Sequence, residues 1–279
     1  MSYKTVLVHV DETSRSQLRV NIAASIAMWN NAHLIGTAVT GVSRFIYQDG
    51  NLNASDSNLA IHLNYLRERA ERAVAGFNQT VAQLGVNSYE SGIANDEAGG
   101  GIGLQARYSD LVVIGQTNPD EVSPAVLPDF PEYIVMHSGR PVLMIPYAGD
   151  FTTIGKRPLI SWDASREATR AVTDAIPLLK RADVVQLAIF NSNSVPDAHG
   201  EQPGADIALF LARHGIKVEV SVHKTSTDIG NALLSLASDL DSDMIIMGAY
   251  GHSRLREMIM GGVTKTILSS MTIPVLMAH

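Results

Sequence analysis

Residues 248–266, GAYGHSRLREMIMGGVTKT, gather the residue types that hold a phosphate group. Gly248 and Gly251 permit a tight turn and let the backbone approach a ligand that a Cβ would keep away. Gly261 and Gly262 stand where a helix is expected to begin, and the unpaired N–H groups and positive dipole end of a helix attract anions. Thr264, in the first turn of that helix, adds a hydroxyl. Arg254, Arg256 and Lys265 add positive charge as candidate phosphate contacts, and only Glu257 opposes them. A second feature lies upstream, where Ser161-Trp162-Asp163 leaves an apolar run and sets a carboxylate at its end. Glycine spacing alone is a weak signal; with the basic residues and a strand-end carboxylate it becomes a stronger one.

Such residues need elements to position them, and the chain supplies the same set twice. SDLVVIG at 109–115 reappears as SDMIIMG at 242–248, and PVLM at 141–144 reappears at 274–277, both at an offset of 133. KTVLVHVDETSR at 4–15 parallels KRPLISWDASRE at 156–167, which sets Asp11 opposite Asp163. Three matches in one order read as a duplication, with domains over 1–149 and 150–279 and a linker near 147–156. The offset falls from 152 to 133, so the first copy holds 19 extra residues. There Leu59, Leu63, Leu66, Ala70, Ala73, Phe77, Val81 and Leu84 recur at helical spacing, which predicts one long amphipathic helix packed on its own sheet.

Each copy reads strand–helix four times over and closes on a fifth strand. In the second copy the strands are expected at 157–162, 184–190, 217–223, 243–248 and 273–278, with helices at 165–180, 205–214, 227–239 and 262–270. LVVI and MIIM are apolar throughout, as strands covered on both faces must be. The fold class is therefore α/β, two tandem doubly wound five-stranded parallel-sheet domains. In such sheets ligands bind beyond the carboxyl ends of the strands, where Asp163 and Gly248 both fall. The last strands, PVLMIP and PVLMAH, are apolar edges that invite pairing with one another, giving an intramolecular pseudo-dimer. A further homo-oligomer is left open.

Composition narrows the function classes. Cysteine is absent from the 279 residues, which excludes a disulfide framework, a thiol nucleophile and a cysteine-held metal. No apolar run reaches 18 residues and MSYKTVLVHVD lacks the marks of a secretory leader, so a cytoplasmic protein with no membrane partner is expected. Residues 1–150 carry 9 Lys/Arg against 15 Asp/Glu, and the remainder carry 12 against 13. The first half repels polyanions, which argues against a nucleic-acid partner, while the second leaves room for a local basic site.

The pattern G-x2-G-x9-G, after an apolar strand and before a helix and a PVL strand, resembles the universal stress protein family, and the resemblance covers nearly the whole chain. It implies an adenine nucleotide α-hydrolase-like fold and a stress-response, regulatory role with bound ATP, ADP or AMP, with or without magnesium. By that resemblance Gly248, Gly251, Gly261 and Gly262 surround the phosphates, Asp163 holds the adenosine end, and the Ile189 backbone meets the adenine. Where the family usually has Ser or Thr after the third glycine this chain has Gly262, so the hydroxyl there must come from Thr264. In the first copy the aligned residues are Asn118, Pro128 and Asp129, amid Asp120, Glu121 and Glu132, with no basic residue between Gln116 and Glu132. A proline removes an N–H. The first copy is expected to be a degenerate, structural or regulatory half.

Other candidates are weaker. His9 and Asp11 share a strand face and suggest a metal pair, although a hydrogen-bonded histidine and a helix-capping acid explain them better. The glycines of GGGIG at 99–103 read as a flexible turn or helix start. Ser165 and Ser253 sit in no nucleophile elbow, so no catalytic residue and no protein-held metal are expected, and slow ATP hydrolysis is the most the chain supports. Three classes compete: a nucleotide-binding regulatory protein, a scaffold of the same family that binds no nucleotide, and an adenylating enzyme. The third is disfavoured because WDASREA replaces the SGGxDS loop such enzymes carry.

Overall fold

The computed structural model describes residues 2–42, 57–121, 123–151, 153–192, 202–251 and 262–279. The chain forms two compact units, residues 2–140 and 141–279. The first runs β1 (Thr5–His9), α1 (Ser16–Asn30), β2 (His33–Val39), α2 (Ser57–Leu84), β3 (Tyr89–Ala94), α3 (Ala98–Ala106), β4 (Leu111–Gly115) and α4 (Phe130–His137). Its strands lie parallel in the order β3-β2-β1-β4. Val6–Val8 and Leu111–Ile114 are fully buried, as expected of strands covered on both faces.

The long helix predicted in the first copy is α2. It buries Leu66, Ala70, Ala73, Phe77 and Val81, while Leu84 turns outward. Phe77 fits because β2 carries Gly36 beneath it, where a Cβ would stand 2.7 Å from the ring. Of the two readings of the glycines at 99–103, a flexible turn or a helix start, the structure shows the helix: they form the first part of α3. Packing explains the glycines: a Cβ at Gly99 would meet the Tyr133 ring at 2.8 Å, and one at Gly101 would meet Ala94 Cβ at 3.0 Å.

The second unit runs β5 (Val142–Ile145), β6 (Pro158–Ser161), α5 (Arg166–Leu179), β7 (Val185–Phe190), α6 (Ala205–Arg213), β8 (Val218–His223), α7 (Ile229–Asp239), β9 (Met244–Gly248), α8 (Val263–Ser270) and β10 (Val275–Ala278). These bounds fall within two residues of those expected from periodicity. The strand order is β5-β10-β9-β6-β7-β8, parallel except for β5. β8-β7-β6-β9 repeats the order of the first unit. So does a clamp at the amino ends of the strands: Asp110 accepts the N–H groups of Lys4 and Thr5 at 2.6 and 3.0 Å, and Asp243 those of Lys156 and Arg157 at 2.7 and 3.0 Å.

The expected pairing of the two PVLM strands is present. β5 and β10 run antiparallel, with Met144 opposite Val275, Leu143 opposite Leu276 and Val142 opposite Met277, all fully buried. β5, the last strand of the first copy in sequence, therefore counts with the second unit.

The fit of Phe77 over Gly36 gives a test. Gly36→Ala overpacks the first unit and should lower its stability by about 1–3 kcal/mol, read as a shift of the urea midpoint. Phe77→Leu in the same chain should recover part of the loss.

Candidate functional site at the strand ends

In the second unit β6 and β9 pair in parallel, Ser161 opposite Met247, so their carboxyl ends lie side by side. The chain leaves β6 through Trp162 and Asp163, and Ala164 turns it at a left-handed φ of 61°. Asp163 is exposed; its Oδ1 accepts the Ser165 N–H at 3.0 Å. Ser165 in turn caps α5, its Oγ accepting the Ala168 N–H at 3.1 Å.

β9 ends on Gly248 beside that helix start. A Cβ on Gly248 would stand 2.5 Å from the Ala168 backbone nitrogen and 2.7 Å from the Glu167 carbonyl carbon. The glycine is thus required by the approach of strand to helix, a different reason from the tight turn read in sequence. The turn comes at Tyr250, whose φ is 58°. Tyr250 N–H donates to Thr264 Oγ1 at 3.2 Å. Thr264 is buried, so its hydroxyl ties the turn to the start of α8. Gly251 faces α5: a Cβ there would lie 3.1 Å from Glu167 Oε2 and 3.4 Å from Ser165 Oγ.

The structure thus gathers Asp163, Ser165, Glu167, Gly248 and Gly251 at one end of the sheet. Gly262 precedes the first turn of α8 in an extended conformation with no side-chain cap, and Lys265 is exposed on that helix. Ile189 is buried within β7, in register with Val222. Arg254, Arg256, His252 and Gly261 lie outside the described residues. Sequence reasoning missed Ser165 as a cap and Glu167 as a second acid facing the glycine turn. The signal was present, because Ser-Arg-Glu-Ala is a capping serine followed by a first-turn acid.

In the first unit the aligned positions are arranged differently. Asp11 accepts from the N–H of Thr13 at 3.1 Å and from its hydroxyl, and pairs with Arg19 Nη2 at 2.8 Å. Arg19 is only 3% exposed, and its Nε donates to the His9 carbonyl at 2.7 Å. Its guanidinium fills the space over Gly115, where a Cβ would come within 2.6 Å of Nη1. Burial alone pushes the Asp11 carboxyl up, but the charge of Arg19, with smaller help from His9 and Thr13, holds it well below the usual carboxylate range. Asp11 is the partner of a buried arginine rather than a simple helix cap.

His9 is buried beside it, with Nδ1 3.8 Å from Asp11 Oδ2 and its ring edge-on to Phe130 at 5.1 Å. Its Nε2 has no hydrogen-bond partner among the described residues, contrary to the expected hydrogen-bonded histidine. Burial, opposed by Asp11 and reinforced by Arg19, lowers its pKa to about 4, so it is neutral at pH 7. Among the described residues no group of three or more side chains suits a metal ion.

The loop after β4 lies over the same strand ends. Glu121 accepts the N–H and the O–H of Ser14, both at 2.8 Å. Thr117 Oγ1 donates to the Pro128 carbonyl at 2.9 Å. Ala125 presses on Gly41, where a Cβ would meet its Cα at 2.4 Å. By the repeat offset of 133, Glu121 stands where the second copy has Arg254.

A family model described as the universal stress protein family matches residues 156–279. Over these residues the chain is similar to that family. A universal stress protein of Synechocystis sp. is 28% identical over 147 residues, 52% of this chain and 49% of the relative, so the chain spans about half the length of the curated relative it matches. A universal stress protein from Archaeoglobus fulgidus superposes with a TM-score of 0.74 at 15% identity, covering 98% of this chain and 95% of that one. A functionally unknown protein from Pseudomonas aeruginosa PAO1 does so with a TM-score of 0.61 at 14% identity, over 99% and 92%. At these identities the two structures establish the fold, over nearly the whole chain.

Buried His9 carries a pH dependence. Its folded pKa lies below the unfolded 6.5, so the unfolded chain takes up the extra proton. The His9 contribution is intact above about pH 6.5 and lost as the pH falls toward 4. From pH 7 to pH 5 the wild type should lose about 2 kcal/mol more than His9→Phe, measured by urea unfolding at both pH values.

Proposed function

We propose that the chain is a cytoplasmic, nucleotide-binding regulatory protein of the stress response, with one adenine-nucleotide site, in its second unit. Asp163 takes the ribose end, the Ile189 backbone meets the adenine, and Gly248, Gly251, Gly261 and Gly262 surround the phosphates. Thr264 holds the turn, and Arg254, Arg256 and Lys265 supply the opposing charge. Glu167 beside Gly251 adds a carboxylate that a phosphate must not meet bare, which favours ATP or ADP carried with magnesium.

The observation that carries this reading is the contrast between the aligned aspartates. Asp163 is exposed and bonded to the Ser165 N–H, so its remaining lone pairs can take ribose hydroxyls. Asp11 is paired with buried Arg19, and the first unit's own loop lies over it, with Glu121 in place of a basic residue. The first unit is then a structural or regulatory half. A scaffold that binds no nucleotide is the second reading. It draws on Gly262, which carries no hydroxyl, and on the use of the Thr264 hydroxyl by Tyr250.

Titration calorimetry of the full chain with Mg-ATP separates them. One site is expected, weakened about tenfold or more in Asp163→Ala, because hydrogen bonds to a charged group contribute about 1.5–3 kcal/mol. Binding should vanish in Gly261→Pro and persist in Pro128→Gly. Two sites, no site, or binding that survives Gly261→Pro refutes the proposal. Turnover of ATP should stay far below one per second, against an enzyme median of about 10 s⁻¹.

A further inference from the structure

The glycine turn after β9 is held by more than the sheet. Ala249 N–H donates to the Ala278 carbonyl at 2.9 Å, continuing the pairing of β9 with β10. One residue further on, His279 Nδ1 lies 3.0 Å from the Ala249 carbonyl oxygen. A carbonyl only accepts, so Nδ1 carries the proton and the ring donates. The ring also meets Tyr250 edge-on, at 6.4 Å and 78° between planes. Arg170, one turn along α5 from Glu167, donates from Nη1 to the backbone oxygen of His279 and so anchors the residue from the helix side.

These contacts converge on a strained backbone. Tyr250 occupies the left-handed region at φ 58°, which costs a non-glycine residue about 1–2 kcal/mol, and it is followed at once by Gly251. The left-handed turn is retained because three hydrogen bonds surround it: Ala249 to Ala278, His279 to Ala249, and Tyr250 to Thr264. The first two fix the peptide groups before Tyr250 and the third its own N–H. Of the three, only the bond from His279 comes from a titratable side chain beyond the two paired strands and the helix that starts at Val263.

We infer that His279 is a positioning residue for the proposed nucleotide site, its Nδ1–H latching the Ala249 carbonyl so that Tyr250 stays left-handed and Gly251 stays aimed at the start of α5. The inference rests on the nucleotide reading for its consequence, not for its geometry. Loss of the latch lets the turn relax, and the phosphate end of the site is then no longer preformed.

The test compares His279→Ala, His279→Asn and His279→Gln in the full chain. An asparagine amide nitrogen reproduces the position of Nδ1, whereas a glutamine nitrogen reproduces that of Nε2. Two readouts are taken: the affinity for Mg-ATP, and amide hydrogen exchange over residues 249–251. Exchange there should quicken in His279→Ala and His279→Gln and return toward wild type in His279→Asn. Affinity should fall about three- to tenfold in the first two, the weight of one hydrogen bond, and recover in the third. Unchanged exchange in His279→Ala, or equal behaviour of Asn and Gln, overturns the latch. If His279→Ala does not fold, the Asn and Gln pair decides alone. A wild type that binds no nucleotide overturns the proposed function, while the exchange data still judge the latch.

Discussion

At Gly248, where β9 ends, the first turn of α5 passes 2.5 Å from where a Cβ would stand. That approach of a strand end to a helix start governs what surrounds it. It brings the capped end of α5, with Ser165 and Glu167, against Gly251, and it leaves Asp163 on the turn between β6 and the helix. A side chain at Gly248 would push α5 off the sheet, and the parallel pairing of β6 with β9 would no longer bring their ends to a common site. The turn after β9 must then leave at a steep angle, which Tyr250 achieves in a left-handed conformation braced by Thr264 and His279.

The first unit meets the same steric limit at Gly115 and fills the space otherwise. There the intruding group is the Arg19 guanidinium, 2.6 Å from the place of a Cβ. A buried cation requires a partner, and Asp11 is the carboxylate in reach at 2.8 Å. Breaking such a pair by removing one member leaves an uncompensated buried charge, at a cost of about 3–5 kcal/mol. A ligand hydroxyl cannot recruit Asp11 without disturbing that pair, and Glu121 already occupies the N–H and hydroxyl of Ser14. Aligned residues of one type, Asp11 and Asp163, therefore carry different chemistry because their neighbours differ.

Much of the fold was legible in the chain. The offsets of 152 and 133, the wholly apolar LVVI and MIIM, and the 3.6-residue stripe from Leu59 to Leu84 gave the order and type of the elements seen among the described residues, since burial on two faces or one leaves its period in the residues themselves. The final PVLM strands could be paired in advance because an apolar edge has few other fates. Fold, repeat order and the similarity of residues 156–279 to the universal stress protein family follow from such local patterns.

What tertiary structure decided were the contacts between residues far apart in sequence. No local pattern announces that Arg19 turns inward to Asp11, that Glu121 reaches Ser14 across 107 residues, or that Tyr133 and Ala94 need the space over Gly99 and Gly101. Nor does spacing explain that Thr264 is committed to Tyr250, or that His279 bonds Ala249 thirty residues earlier. Sequence by itself fixes which side chains are available and how each element faces the core. Which of them meet, and so whether a carboxylate is open or sealed, depends on distances set only when the strands and helices pack.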